Sequence, residues 1–553
     1  MARRTLKRIG TLLAAAALML SLLAGCAQNA PPAQSPAAEQ MAEAAPGKER
    51  VLVVVDEEPD TVDFQCTTIF YTVALNVFNR LVEIQLNDDG ETELVPALAE
   101  SWTVSEDGLR YSFRLREGVR FSNGSALTSS DVLYTMTRLL THPESGNRDI
   151  AAGIAGAKAL RNGETDTLSG FEILSDRDFV ITLSQPFAAF LPCLAMPGAS
   201  ILDRETTQAA GDRFGLESAW TIGTGSFVLE SWEPGKGMFL RANPDCWEGL
   251  PGCDAIELRF LTDGEEERAL FEQGELDILD LDELGDSAEY FIHGDIYQDR
   301  LYAARQIGIS YIALNESVRP LNDVRVRKAL QLSLDRQMLL DAIYSGRGEV
   351  ENGIFPRGLK GYNPDLPEIP YDPDGARELL REAGYPDGFT LEVSVKSSST
   401  MWEKRLLTMA ASMWEAIGVR TNITVMSEGE FMRLRKTGAL ACYAATWSAD
   451  YDDPDNFIST FFGGRENTSY RSLCYPREEI MQRVVLARAI IDEDARLAEY
   501  RELERIIVQE DAAWIPLFSR LHYYVAGERV APFTPSWNGW VSTRYRYIAL
   551  KEQ

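Results

Sequence analysis

Whatever this chain folds into must be built from Glu49 onward, because the 48 residues before it offer nothing a folded core can use. Arg3, Arg4, Lys7 and Arg8 precede an apolar stretch from Ile9 to Leu23, and the stretch runs into Ala24-Gly25-Cys26. A basic segment, a short apolar segment and small residues at a cleavage point are the parts of a secretory signal. The apolar stretch is shorter than the roughly 20 residues a bilayer-spanning helix needs. Residues 27–48 are mostly Ala, Pro, Gln and Glu, a composition that cannot offset its ordering entropy and reads as a flexible tether. The remainder, about 500 residues, is too long for one hydrophobic core, so two or three structural domains are expected.

Leu22-Leu23-Ala24-Gly25-Cys26 resembles the lipobox of bacterial lipoproteins, in which the Cys is diacylated and becomes the mature N-terminus. The resemblance implies a signal over residues 1–25, a tether over 26–49 and a body held to the extracytoplasmic face of a cell membrane by lipid on Cys26. An ordinary signal peptide or anchor with an incidental Cys is the alternative. The formal net charge is −30, and the basic side chains ahead of Cys26 make the rest more negative still. Such a balance excludes nucleic acid as a partner, since phosphate binding needs a basic footprint. Six cysteines follow Cys26. Cys246 and Cys253 flank a Gly/Pro loop and are one candidate disulfide; Cys442 with Cys474 is another; free buried thiols are the alternative. With three histidines and no C-x-x-C, neither a zinc nor a haem site is expected.

Strand and helix patterns alternate along the body, which points to α/β layers. Val51–Val55 is an all-apolar run of the kind a buried strand shows, and Arg110–Arg116 alternates with period two. Thr128 to Asp131 offers N-caps for a helix through Leu140. One helix is expected from Asn322 or Asp323 to Ile343, stopping at Gly346. Asp372-Pro373 opens another, with Gly384 at its end, and Thr400–Ile417 a third.

Six stretches are similar, in order, to the peptide/nickel-type (family 5) solute-binding proteins of ABC importers. They are Glu58-Pro59-Asp60-Thr61-Val62-Asp63 with Asn76-Val77-Phe78; Leu94 to Trp102; Leu115 to Phe121; Gly223-Thr224-Gly225 before Asn243-Pro244-Asp245; Asn322 to Leu330; and Tyr371-Asp372-Pro373 with Glu382 to Gly388. Ser226 and Cys246 depart from the usual Pro and Tyr. The resemblance implies a type II periplasmic-binding-protein fold, α/β, with two lobes, a hinge and an extra domain inserted in lobe I. Lobe I would comprise residues 50–78, 221–309 and 526–553, the extra domain 79–220 and lobe II 310–525. Hinge crossings are expected near Ile309–Leu314 and Tyr523–Gly527.

In the segment from Ala445 to Phe457 a strand ends at Trp447 and a helix opens at Pro454. Asp453 is the natural N-cap and Asp455 favours the positive end of the helix dipole, so both have structural work. Asp450 has no capping duty. In peptide binders of this family a Trp-x-x-Asp at this place holds the ligand's α-ammonium on the Asp with the Trp lining the pocket, and Trp447 and Asp450 match it. A solvated turn acid is the alternative reading of Asp450. The same resemblance turns the loop Phe64–Tyr71, with Cys66, Phe70 and Tyr71, toward the cleft. Arg433, Arg435, Arg465 and Arg471 are candidates for a ligand carboxylate. The run lacks the ligand spacing and central Gly of a calcium loop.

No G-x-S-x-G, H-E-x-x-H or phosphate loop occurs, so an enzyme is not expected. No cofactor or metal is expected either. The reading is a monomeric, lipid-anchored solute-binding subunit that captures peptides and hands them to permease subunits. A binder of oligosaccharide or metal chelate, or a receptor for signalling peptides, on the same fold is the alternative.

Overall fold

A computed structural model describes residues 49–552. The expected signal, nearly all of the tether and Cys26 lie outside these residues. Among the described residues no helix is long and apolar enough to cross a membrane.

Val51–Asp56 pairs in parallel with Ala255–Phe260, which continues antiparallel through Gly237–Ala242 to Phe227–Glu233. Alternation along the first strand sends Leu52 and Val54 into one core and Val53 into another on the opposite face. A sheet covered on both faces needs such an uninterrupted apolar run. The core of Leu52 and Val54 also takes Phe227, Leu229, Tyr545, Ile548 and Leu550, so the C-terminal segment returns to the first lobe.

Between the first and second visits to this lobe lies the inserted domain. Ala99–Val104, Arg110–Leu115, Asp178–Thr182 and Phe171–Ile173 form its antiparallel sheet. Arg110–Leu115 alternates exposed and buried residue by residue, as its period-two pattern predicts. Helix Ser129–Thr141 covers the sheet and carries a capping box between Thr128 and Asp131. The domain's core runs from Leu81 to Ile201. Leu202, Ala210 and Phe214, on the inserted-domain side of the expected boundary at 220, pack in the first lobe instead.

The second lobe is organised on Gly308–Leu314, buried along its whole length. Ile309, Tyr311 and Ala313 enter one core and Ile312 and Leu314 the other. Its neighbours are Cys442–Ser448 on one side and Trp514–Ala526 on the other. Trp514–Ala526 joins the lobes. Its first half pairs with Gly308–Leu314 and Gly348–Val350, and its second half with Leu301–Arg305 and Ile278–Asp280. The partner change falls between Phe518 and Leu521, and the other crossing between Arg305 and Gly308, a few residues ahead of both expected positions. Ile307 already packs in the second lobe, and Ala304 in the first.

The single helix expected from Asn322 to Ile343 is two, Val324–Leu332 and Arg336–Tyr344. Asp335 accepts from Met338 N at 2.9 Å and caps the second, while Ser333 Oγ donates to Leu330 O at 3.1 Å. Short polar side chains that bond to nearby backbone compete with helix continuation. Pro373–Glu382, capped by Asp372, and Met401–Glu415, with a Thr400/Glu403 capping box, form as expected.

Candidate functional site

Cys442–Ser448 ends on the Trp447–Ile309 and Ser448–Gly308 pairs. Ala449 N then donates to Ile307 O at 2.7 Å, which fixes the start of the turn. Helix Pro454–Phe462 closes the turn, with Asp453 as N-cap accepting from Asp455 N at 2.9 Å. Four acids therefore occupy six consecutive positions, and three are committed. Asp452 accepts from Lys360 N at 2.8 Å and from the Thr92 hydroxyl of the inserted domain. Asp453 is ion-paired with Arg496 at 2.7 Å, both fully buried. Asp455 accepts from Tyr451 at 3.0 Å, Ser459 at 2.5 Å and Tyr500 at 3.1 Å and meets Arg488 Nε at 2.9 Å.

Asp450 differs from all three. Its backbone N–H and carboxylate form a reciprocal pair with the Asn456 amide, at 3.0 and 2.9 Å, and it has no ion pair among the described residues. The residue is open to solvent, in the turn between the strand and the helix. Desolvation lifts its carboxyl above the usual range; the Asn456 hydrogen bond and the charge of Arg471 oppose that lift. Asn456 carries no signal in the sequence that would have singled it out.

Trp447 lies half-buried, edge-on to Phe461 at 5.5 Å. Arg471 Cζ stands 4.6 Å from the Trp447 ring centroid. Of the four candidate arginines, Arg465 is ion-paired with Glu478 on the surface at 2.7 Å, Arg435 faces Tyr470 at 5.7 Å, and Arg433 sits in the last turn of Glu428–Lys436. Arg471 is the candidate that the fold brings to Trp447.

The loop expected to face the ligand precedes helix Thr72–Val77. Its first residues turn inward rather than toward the cleft. Phe64 packs on Phe78 at 4.9 Å in the first lobe's core, and Gln65 Nε2 donates to Thr135 O at 3.1 Å. Ile69 is exposed, and Phe70 holds a left-handed backbone at φ 61°, which a bulky residue adopts only under constraint. Tyr71 Oη donates to Thr67 O at 3.0 Å and to Asn147 Oδ1 at 3.1 Å. Burial raises its phenol well above the usual range, the Asn147 bond opposes this, and the charge of Asp450 adds to it. Tyr71 and Asp450, from different lobes, are thus within electrostatic reach.

Asp63, Cys66 and His142 offer ligand atoms that all lie within 4.8 Å of one another. Arg138, however, contacts both Asp63 oxygens, at 3.1 and 2.5 Å. Burial first, and then Asp63, pushes the Cys66 thiol up to about 12, so it stays protonated. The carboxylate of this group is thus already engaged by a guanidinium.

Neither candidate disulfide forms; all six described cysteines are free. Cys442 is fully buried in the second lobe's core, while Cys474 Sγ faces Gly438 O at 3.8 Å. Cys253 lies in the first lobe's core, while Cys246 Sγ faces Ser226 Oγ at 3.8 Å. The loop between them is held by charge instead. Glu248 meets Arg544 at 2.5 Å and Arg546 at 3.1 Å, and against the effect of burial these two guanidinium groups hold its carboxyl down to about 2.

Residues 93–469 match the family described as bacterial extracellular solute-binding proteins, family 5 Middle. The chain belongs to that family. It is 29% identical over 496 residues to heme-binding protein A of Haemophilus influenzae, covering 87% of each chain. It is 31% identical to di/tripeptide-binding protein 2 of Pseudomonas aeruginosa, covering 80% of this chain and 86% of that one. The solved structure of HbpA2 from Haemophilus parasuis superposes with a TM-score of 0.75 at 26% identity, over 91% of this chain and all of that one. These are solute-binding proteins, not enzymes. The family 5 protein described here has the family's two lobes, hinge and inserted domain.

Proposed function

We propose that this family 5 protein binds peptides between its lobes through their α-ammonium and delivers them to the permease of an ABC importer, held to the membrane by lipid on Cys26. The observation that carries the reading is Asp450, a partly desolvated carboxylate with a neutral amide partner and no ion pair among the described residues. An ammonium has three donors to offer it, and such charge-assisted bonds strengthen out of water. A neutral sugar would leave the charge unpaired at a cost. The name of the Pseudomonas relative supports the same ligand class. Trp447 and the loop of Phe70 and Tyr71 supply the apolar walls, and the protein acts as a monomer.

Native mass spectrometry of the full-length protein, purified gently from a peptide-rich host, tests this against Asp450→Asn. Peptide-sized adducts on the wild type that are lost from the variant are expected. Truncating one partner of a buried charge pair costs about 2–5 kcal/mol, roughly 30-fold to several-thousand-fold in affinity. Adducts of sugar or haem mass, or peptides retained equally by both proteins, would overturn the reading.

A further inference from the structure

The antiparallel pairing of Gly308–Leu314 with Cys442–Ser448 runs on by one residue, to Ile307 and Ala449. Where one backbone bond forms between two facing residues of such a ladder, the pair ordinarily exchanges the second as well. Here Ala449 N donates directly to Ile307 O at 2.7 Å, but the return bond passes through a side chain. Ile307 N donates to Asn538 Oδ1 at 2.7 Å, and Asn538 Nδ2 donates to Ala449 O at 3.0 Å. Asn538 is 4% exposed, so water has little access to either bond. Its amide is the last rung between the hinge crossing and the turn of Asp450. Ala449 O belongs to the same planar peptide unit as Asp450 N. Asp450 N donates to Asn456 Oδ1 at 3.0 Å, and Asn456 Nδ2 donates to Asp450 Oδ2 at 2.9 Å. Two asparagine amides thus grip opposite edges of one peptide plane. Asn456 comes from helix Pro454–Phe462 of the second lobe, but Asn538 does not. Phe533 and Trp540, either side of it, pack on the first lobe's core, against Tyr302 at 4.3 Å and Tyr524 at 5.1 Å. Between them Trp537 packs against the second lobe's core. The C-terminal segment therefore leaves the first lobe, seats Trp537 and Asn538 on the second, and returns.

We infer that Asn538 is a positioning residue for Asp450: from the first lobe's C-terminal segment it fixes the peptide plane that aims the carboxylate at the ligand's α-ammonium. The inference rests on the peptide reading above and deepens it with a residue that acts through Asp450 rather than on the ligand. A side-chain amide carries one acceptor and a pair of donors, so it completes both sides of the rung without adding charge. Ile307 and Ala449 are buried, and a buried backbone group left unpaired is costly. Without the amide the two strands would close up to bond directly, and the peptide unit ahead of Asp450 would turn with them. A binding group must be held within roughly 0.5 Å of its productive place. Because the segment is anchored in the first lobe, the aim of Asp450 depends on how the lobes are seated on each other.

Titration calorimetry on the full-length protein with Ala-Ala-Phe and N-acetyl-Ala-Ala-Phe, alongside hydrogen exchange without peptide, tests this. The wild type is expected to hold the free amine at least about 30-fold tighter than the acetylated form. Asn538→Ala should cut that preference at least about tenfold, with affinity for the acetylated peptide changed by less than about threefold. Asn538→Asp keeps the size of the side chain and the bond from Ile307, but sets a carboxylate oxygen against Ala449 O. It should lose as much of the preference, and it carries the test if the alanine variant does not fold. Exchange over residues 447–456 should quicken in either variant, while that of residues 309–313 stays as in the wild type. Equal weakening of the two peptides would reduce Asn538 to a structural part. That result, a preference unchanged in the variants, or unchanged exchange over residues 447–456 would overturn the inference and leave the peptide reading intact. A wild type that holds both peptides alike, or neither, would overturn the ammonium reading and this inference with it.

Discussion

The two segments proposed to face the ligand are built on different principles. On the second lobe, a strand buried in the sheet leads through a five-residue turn, 449–453, to a capped helix, and three of the four acids there are locked by remote partners. Asp450, bonded only to the Asn456 amide, is the one without an ion pair or a remote partner among the described residues. On the first lobe the wall is a loop, held by Asn147 and Tyr71 hydrogen bonds, with Ile69 exposed and Phe70 in a left-handed backbone. Charge recognition needs donors and acceptors fixed to within a fraction of an ångström, and a framework of regular elements supplies that. Accommodation of varied side chains needs a surface that can adjust, and a loop of low packing density supplies it.

The contrast is broken most directly by Arg496→Met. Leaving Asp453 buried and unpaired should destabilise the protein by about 3–5 kcal/mol, read as a shift of the denaturation midpoint. A loss under 1 kcal/mol would mean that the second wall is not held by its ion pairs.

The second lobe should also carry its own pH signature. Burial pushes the Glu504 carboxyl from 4.5 up to about 8, although Ile354 and Phe355 N–H groups donate to it. An acid raised in the folded state contributes no penalty below its unfolded value and loses stability as pH rises from about 4.5 through 8. Glu504→Gln keeps the acceptor for both N–H groups and should raise the thermal midpoint at pH 9, with little change at pH 4. Equal effects at the two pH values would contradict the assignment.

Substitutions in the first wall should be milder. Tyr71→Phe removes the bonds to Thr67 and Asn147 and should cost about 0.5–1.5 kcal/mol, with peptide affinity altered more than the stability loss alone explains. The smallest stability change is expected for Phe70→Gly. Relief of left-handed strain, about 1–3 kcal/mol, offsets the lost side-chain contacts, so the midpoint should barely move while the range of accepted peptides shifts. A large loss of stability there would show that the loop is as rigid as the wall opposite.

Local signals were the readable ones. Period-two alternation located Arg110–Leu115, Pro454 and Asp453 located the helix beside the site, and the absence of capping duty set Asp450 apart. The break at Ser333 to Asp335 was missed because the apolar periodicity runs through it, while the side chains that end one helix and begin the next are local competitors of modest strength.

The sequence by itself determined the α/β character of the body, the helix starts capped by Thr128, Asp372, Thr400 and Asp453 and, through motifs spread along the chain, the family. Tertiary structure decided what no local pattern encodes. It brought Arg488 and Arg496 back onto Asp455 and Asp453, left Cys442 in the second lobe's core with Cys474 facing Gly438, and set Arg471 against Trp447. Helix caps and strand alternation act over a few residues, so they are written in consecutive letters. Which charges end up paired, and which are left free for a ligand, depends on contacts between segments tens of residues apart that only the packed lobes bring together.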